Sequence, residues 1–196
     1  MMQVASIVIP VKGIAAGKSR LATVVSPEQR AALNRRLAEH VLQVALDVAQ
    51  ASETDIAIYL LSPDQAIAEI ARSHAAHFLH QKTTGLNEGL AEAVVDLPPH
   101  RTVFLAADLP TLTSDDIAPL LNAKGIALAP DHGQTGTNAL SVPEPESLPF
   151  SFGTKSMQLH LDAARNLGLP VQLIQRPGLA FDLDTKEDLE RTEGWP

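Results

Sequence analysis

Short runs of β-branched and aliphatic residues alternate with longer stretches of helical periodicity along most of this chain. That alternation is the pattern of an α/β protein, a mostly parallel central sheet covered by helices. A first strand is expected through Ala5-Ser6-Ile7-Val8-Ile9, ended by Pro10. A helix follows from about Pro27 to Gln50: Ser26 suits the N-cap, Pro27 the first helical position, and Gln29 completes a capping box. Leu33, Leu37, Val41, Val44 and Val48 recur at helical spacing as its inner face. The same reading gives a strand from Asp55 to Leu61, a helix from Pro63 to about Ser73, an extended piece from His77 to Leu79, and a glycine-opened helix in TTGLNEGLAEAVVDL. TVFLAADLP is the clearest strand, its apolar run stopped by Asp108. A helix over Ser114 to Leu121, a strand from Gly125 to Pro130, a helix within SFGTKSMQLHLDAARNLG, a strand from Val171 to Ile174 and a short helix after Thr185 complete the reading. TGTNAL, with neutral hydrogen-bonders Thr137 and Asn138 after Gly136, reads as hardly more than a turn.

With 196 residues, 45% of them hydrophobic, the chain can bury a substantial core and fits one domain, residues 1–196, better than two. A formal charge of -8 argues against general nucleic-acid binding, and no run of about 18 apolar residues is present to span a bilayer. ASIVIPV is too short and too strand-like for a signal peptide, so a cytoplasmic location is the default expectation. The absence of cysteine excludes disulfides and thiolate-ligated metals. A small homodimer is compatible with such a chain.

Against that acidic background, the first 27 residues contain no Asp or Glu, and their only charged side chains are Lys12, Lys18 and Arg20. PVKGIAAGKSRL is thus a cationic loop suited to an anion, or a solvated loop whose charges keep it soluble. Its GxxxGKS core has one residue too few between the glycines for a Walker loop, and it does not run straight into a helix. In open α/β sheets ligands sit beyond the carboxyl ends of the strands, where both this loop and Asp108 fall.

Asp182 and Asp184, in LAFDLDT, alternate along an extended segment and so project the same way. Together with Asp108 they form an all-oxygen carboxylate set suited to a hard cation such as Mg²⁺. Alternatively, Asp184 caps the helix that starts near Thr185 and Asp108 caps a turn. His74, His77 and His80 straddle a helix end and a strand, which gives them no common helical face. In FGTKS, Lys155 and Ser156 precede a helix and suit a second anion site, or Thr154 or Ser156 merely caps it. Two anion sites and a carboxylate cluster on one rim fit phosphoryl or nucleotidyl transfer. A phosphate monoester, with a second pKa of about 6, is largely dianionic at neutral pH and needs no general base to attack phosphorus.

PVKGIAAGKSRL, GLNEGL, AADLPTLT, GTNAL, FSFGTKSMQLH and LAFDLDTKEDL, in that order, resemble the 2-phospho-L-lactate or phosphoenolpyruvate guanylyltransferases of deazaflavin coenzyme F420 biosynthesis. The resemblance runs from about Ile7 to Leu189. It implies a Rossmann-like fold of the nucleotide-diphospho-sugar transferase type, with helices on both faces of the sheet. It also implies a reaction joining GTP to a three-carbon phosphorylated acid (phosphoenolpyruvate, 2-phospho-L-lactate or 3-phospho-D-glycerate) with release of pyrophosphate. By the same resemblance Lys12, Lys18 and Arg20 hold the GTP phosphates, and Gly85 and Asn87 lie by the guanine nucleotide. Asp108, Asp182 and Asp184 bind Mg²⁺, and Thr137, Gly153 and Ser156 hold the acid. Lys18, Arg20 and Asp108 are the implied catalytic groups. Gly17, where the family's loop is expected to carry a small residue such as Ala, is a mild departure.

Overall fold

A computed structural model describes residues 4–192. In chain order the elements are β1 (Val4–Pro10), α1 (Pro27–Ala51), β2 (Asp55–Ser62), α2 (Gln65–Ser73), β3 (His77–His80), α3 (Leu86–Ala93), β4 (Arg101–Leu105) and α4 (Ser114–Leu121). Then come β5 (Ile126–Pro130), β6 (Thr137–Val142), α5 (Ser156–Asn166), β7 (Val171–Leu173), α6 (Pro177–Ala180) and α7 (Lys186–Arg191). The strands form one sheet in the order β3-β2-β1-β4-β6-β5-β7. All neighbours pair parallel except those of β6, which runs antiparallel to both β4 and β5.

Alternating side chains of the strands feed two cores. Ile7, Ile9, Val103 and Leu105 pack against α1, α2 and α4 through Val41, Ile67, Ile70 and Ile117. Val8, Phe104, Leu140 and Val142 pack on the other face against α3 and α5 through Leu90 and Ala164. Burying each such aliphatic side chain contributes roughly 1.5–3 kcal/mol before chain entropy is subtracted. The helix α1 begins as its sequence dictates: Ser26 Oγ accepts from Gln29 N at 3.3 Å, and Ser26 N donates to Gln29 Oε1 at 2.9 Å. Leu33 is half-buried; with Leu189 and Val25 it flanks a small third cluster of Leu21, Leu37 and Leu183 beside the main core.

Three expectations need correction. TGTNAL is not a turn: Thr137–Val142 is a fully buried interior strand. Its polar members find tertiary partners, among them Leu120 O for Ser141 Oγ at 2.7 Å, so neither a β-branched run nor alternation is needed to keep it in the sheet. Asp108 does not end β4, which stops at Leu105; the Asp108 carbonyl instead accepts from Leu183 N at 3.0 Å. The helix after Gly85 ends at Ala93 and closes in a 3-10 turn over Val94–Asp96.

Candidate active site

The cationic loop leaves β1 and is held from beneath by two side chains. Asp64, the N-cap of α2, accepts from Ile14 N at 2.9 Å, and Asn34 of α1 donates to Ile14 O at 2.9 Å. Gly17 rests on the same Asn34: a Cβ there would come within 2.7 Å of its Nδ2. Lys18 follows in the left-handed region at φ 60°, a conformation that disfavours a long side chain by about 1 kcal/mol and persists where the surroundings demand it. A 3-10 turn over Ser19–Leu21 then drops Leu21 into the third cluster and anchors the loop's far end.

That backbone aims Lys18 inward. Its Nζ lies 2.6 Å from Asp108 Oδ2 and 2.9 Å from Asp184 Oδ1, with the lysine side chain only 6% exposed. Burial, the largest single influence, pulls the ammonium pKa down, yet Asp108 and Asp184 outweigh it and the net shift is upward. Arg20 adds only a distant contact with Asp184, 3.7 Å, from a largely exposed position. Asp182 is held by Asn138 Nδ2 at 3.1 Å, the same amide nitrogen reaching Leu179 O at 3.0 Å. Burial, together with the neighbouring charges of Asp108 and Asp184, raises the Asp182 pKa despite the Asn138 hydrogen bond. Between the two carboxylates Leu183 is buried beside Leu21 and Leu37, so the alternation read in LAFDLDT is present although no strand forms there. Asp184 is not the cap of α7; Thr185 is, in a capping box with Asp188.

A second group of side chains surrounds the head of α5. Thr137 opens β6, and because β6 is antiparallel its first residues stand beside the carboxyl ends of β4 and β5. Gly153, at φ 117°, turns the preceding loop, and a Cβ there would meet open space. Lys155 is the N-cap of α5 in the left-handed region and makes no side-chain cap. Neither Thr154 nor Ser156 caps in its place: Ser156 is the first helical residue, 1% exposed, and its Oγ has no hydrogen-bond partner. A buried hydroxyl without a partner is energetically unfavourable unless a ligand or water completes it. Gly85, at φ 99°, is the N-cap of α3. The Asn87 amide is engaged at both ends: its Nδ2 donates to Phe152 O at 3.0 Å and its Oδ1 accepts from Phe152 N at 2.8 Å, which clamps the loop carrying Gly153.

Thus Lys18, Arg20, Asp108, Asp182 and Asp184 converge, the start of α5 and the turn before β6 are joined by Met157 N donating to Thr135 O at 3.1 Å, and Asn87 links the α3 motif to the second group. Lys12 is exposed where the loop leaves β1. His74 caps the C-terminus of α2, while His77 and His80 lie at opposite ends of β3. His160 was not singled out in the sequence, although its place four residues after Ser156 puts both on the buried face of α5.

A family model for guanylyl transferases, described as CofC-like, matches residues 5–192. The chain belongs to that family. It is 40% identical to the phosphoenolpyruvate guanylyltransferase of Chloroflexus aggregans over 94% of this chain and 95% of that one. With the 3-phospho-D-glycerate guanylyltransferase of Phenylobacterium zucineum it shares 32% identity over 94% of this chain and 87% of the relative. Among solved structures, a CMP:2-keto-3-deoxy-manno-octonic acid synthetase complexed with CTP superposes with a TM-score of 0.62 at 15% identity, covering 97% of each chain. A Mycobacterium tuberculosis glucosyl-3-phosphoglycerate synthase gives 0.61 at 16% identity over 88% of this chain and 70% of that one. A protein from Desulfovibrio desulfuricans described as a nucleotide-diphospho-sugar transferase superposes with a TM-score of 0.73 at 20% identity over 96% of this chain and 85% of that one, so the fold here is of that type.

In this CofC-like guanylyltransferase the carboxylate set suits a hard divalent cation in kind and in charge: all donors are oxygen, and Asp182 feels both neighbouring anions. Among the described residues no acidic or imidazole groups are already spaced as a ligand set. The Lys18 ammonium stands between Asp108 and Asp184, so a metal ion would have to displace it. A cleft of about 670 Å³ lies at the opposite ends of the strands, beside Val4, Ala5 and Arg101, away from these groups. No helix among the described residues is long and apolar enough to cross a membrane.

Proposed function

We propose that this guanylyltransferase joins GTP to phosphoenolpyruvate with release of pyrophosphate, the step that starts the side chain of coenzyme F420. The observation that carries this reading is Lys18, held buried between Asp108 and Asp184 at the end of a cationic loop. Phosphoenolpyruvate is favoured over 3-phospho-D-glycerate because relatives at 39–40% identity are named for the former and one at 32% for the latter.

A phosphate oxygen of the acid attacks the α-phosphorus of GTP, the bond to the β-phosphate breaks, and pyrophosphate departs with the electron pair. The attacking phosphate is already largely dianionic near pH 7, so the protein's task is alignment and charge neutralisation. Lys12, Lys18 and Arg20 face the triphosphate, with Lys18 trading its carboxylate partners for phosphate oxygens. Gly85 supplies the positive-φ turn at the head of α3 on the nucleotide side, and Asn87 joins that element to the acid-binding loop through the Phe152 backbone. The Ser156 and Thr137 hydroxyls and the open backbone at Gly153 receive the acid. Asp108, Asp182 and Asp184 are the residues that would hold Mg²⁺, whose positive charge would supply electrostatic stabilisation of the departing pyrophosphate.

Pyrophosphate release from GTP and Mg²⁺ tests the proposal directly, with phosphoenolpyruvate, 3-phospho-D-glycerate and 2-phospho-L-lactate in parallel and ATP and CTP as controls. Turnover is expected with GTP and phosphoenolpyruvate. A faster reaction with 3-phospho-D-glycerate would change the acceptor, and no release with any acid would remove the proposed reaction.

A further inference from the structure

His160 is fully buried on the inner face of α5, one turn after Ser156, and both of its ring nitrogens are engaged. Nε2 lies 3.0 Å from the backbone nitrogen of Ser151, in the loop that leads to Gly153. Nδ1 lies 3.1 Å from Thr137 Oγ1, at the head of β6. The Phe152 ring packs edge-on against it, centroids 4.9 Å apart at 71°. One side chain therefore touches all three segments that carry Thr137, Gly153 and Ser156.

The chemistry of these contacts removes the usual ambiguity about which nitrogen bears the proton. A backbone N–H can only donate, so Nε2 must present its lone pair to Ser151. The ring is neutral near pH 7, its pKa pushed down to about 4 by burial alone, with no charged group contributing. A neutral ring whose Nε2 accepts carries its hydrogen on Nδ1, and that hydrogen is donated to Thr137 Oγ1. The hydroxyl has then filled an acceptor position and keeps its own hydrogen to give away. With the opposite tautomer Thr137 would have to donate to the ring and could offer an incoming anion only lone pairs.

We infer that His160 is a positioning residue that sets the Thr137 hydroxyl as a hydrogen-bond donor to a carboxylate or phosphate oxygen of the acid substrate, through the chain Ser151 N–H, His160, Thr137 O–H. The inference rests on the acceptor reading of Thr137 proposed above. Hydrogen bonds in such a chain polarise one another, and an acceptor-only ligand rewards a donor of fixed direction.

A double-mutant cycle on steady-state kinetics tests it, with GTP and acid varied separately. His160→Phe keeps a ring of similar shape and removes both nitrogens; it is expected to raise the acid's KM about tenfold while the KM for GTP stays within about twofold. Thr137→Val is expected to do the same, and His160→Phe in the Thr137→Val background should add almost nothing, because the hydroxyl it acts through is gone. Multiplying effects, or an unchanged acid KM in folded His160→Phe, would overturn the inference. If His160→Phe does not fold, His160→Asn keeps a donor near the Nδ1 position; an acid KM within about threefold of wild type supports the inference, and a larger rise that persists in the Thr137→Val background sinks it. A wild-type enzyme silent with every acid would instead remove the acceptor reading itself, so the two failures are told apart.

Discussion

Asp182 carries a conflict between folding and function. Burial and two neighbouring carboxylates raise its pKa above the ordinary 3.8, so the charge it bears at neutral pH opposes the folded state. A raised acid pKa means that the associated stability is present below the unfolded value and lost as pH rises through the folded one. Asp182→Asn is therefore expected to raise the metal-free Tm by a few degrees while abolishing turnover, with the Asn138 hydrogen bond retained through the amide oxygen. Calorimetry and pyrophosphate release on the same preparation check both halves. Lys18 has the opposite balance. Removing its ammonium leaves Asp108 and Asp184 without their shared cation, and Lys18→Met should lower stability by about 1–3 kcal/mol. Because a divalent ion can take the vacated position, added Mg²⁺ should stabilise that variant more than it stabilises wild type. Thermal shift across a Mg²⁺ series measures this without any catalysis, and equal responses of the two proteins would count against a metal among these carboxylates.

At the scale of elements, the strand β6 does most to assemble the site. Its reversed direction carries Thr137 and Asn138 to the rim where the parallel strands end, and Asn138 then ties the strand to Leu179 and Asp182. Asn138→Ala would leave the buried Leu179 carbonyl without this donor and Asp182 without the Asn138 hydrogen bond. A loss of about 1–3 kcal/mol is expected, read as a lower urea midpoint with an unchanged m-value. The helix α1 serves the site more remotely, through Asn34 under the cationic loop. Its capping box and inner face were legible in the sequence, since helix starts and 3.6-residue periodicity are local signals. The strand was not, because Thr137, Asn138 and Ser141 look like turn residues until His160, Leu179 and Leu120 are folded against them.

For the whole molecule, acid should be destabilising well above the carboxylate range. His160 is pushed down to about 4, and burial also lowers His100 and His40. A depressed histidine pKa leaves the unfolded chain binding more protons than the folded one, so its stabilising effect is whole above the ordinary 6.5 and is lost as pH falls toward 4. The His160 shift alone corresponds to roughly 3 kcal/mol across that window. Tm measured from pH 7.5 to 4.5 is expected to fall steadily, and less steeply in His160→Phe. A slope that the variant leaves unchanged would exclude His160 as the group responsible.

The sequence by itself determined the alternation of strand and helix, the charge-free-of-acid opening loop, and the ordered motifs that mark the family, because each is a local pattern of residue types along the chain. It also indicated that Asp182 and Asp184 share a side, since an extended backbone alternates its side chains whether or not a sheet claims it. Only the tertiary structure decided that β6 runs antiparallel in the middle of the sheet, that Lys18 lies between two carboxylates distant in sequence, and that Asn87 grips the Phe152 backbone. Tertiary folding likewise set His160 between Ser151 and Thr137. Those arrangements depend on which polar groups remain for one another once the apolar faces have packed, and no stretch of neighbouring residues contains that information.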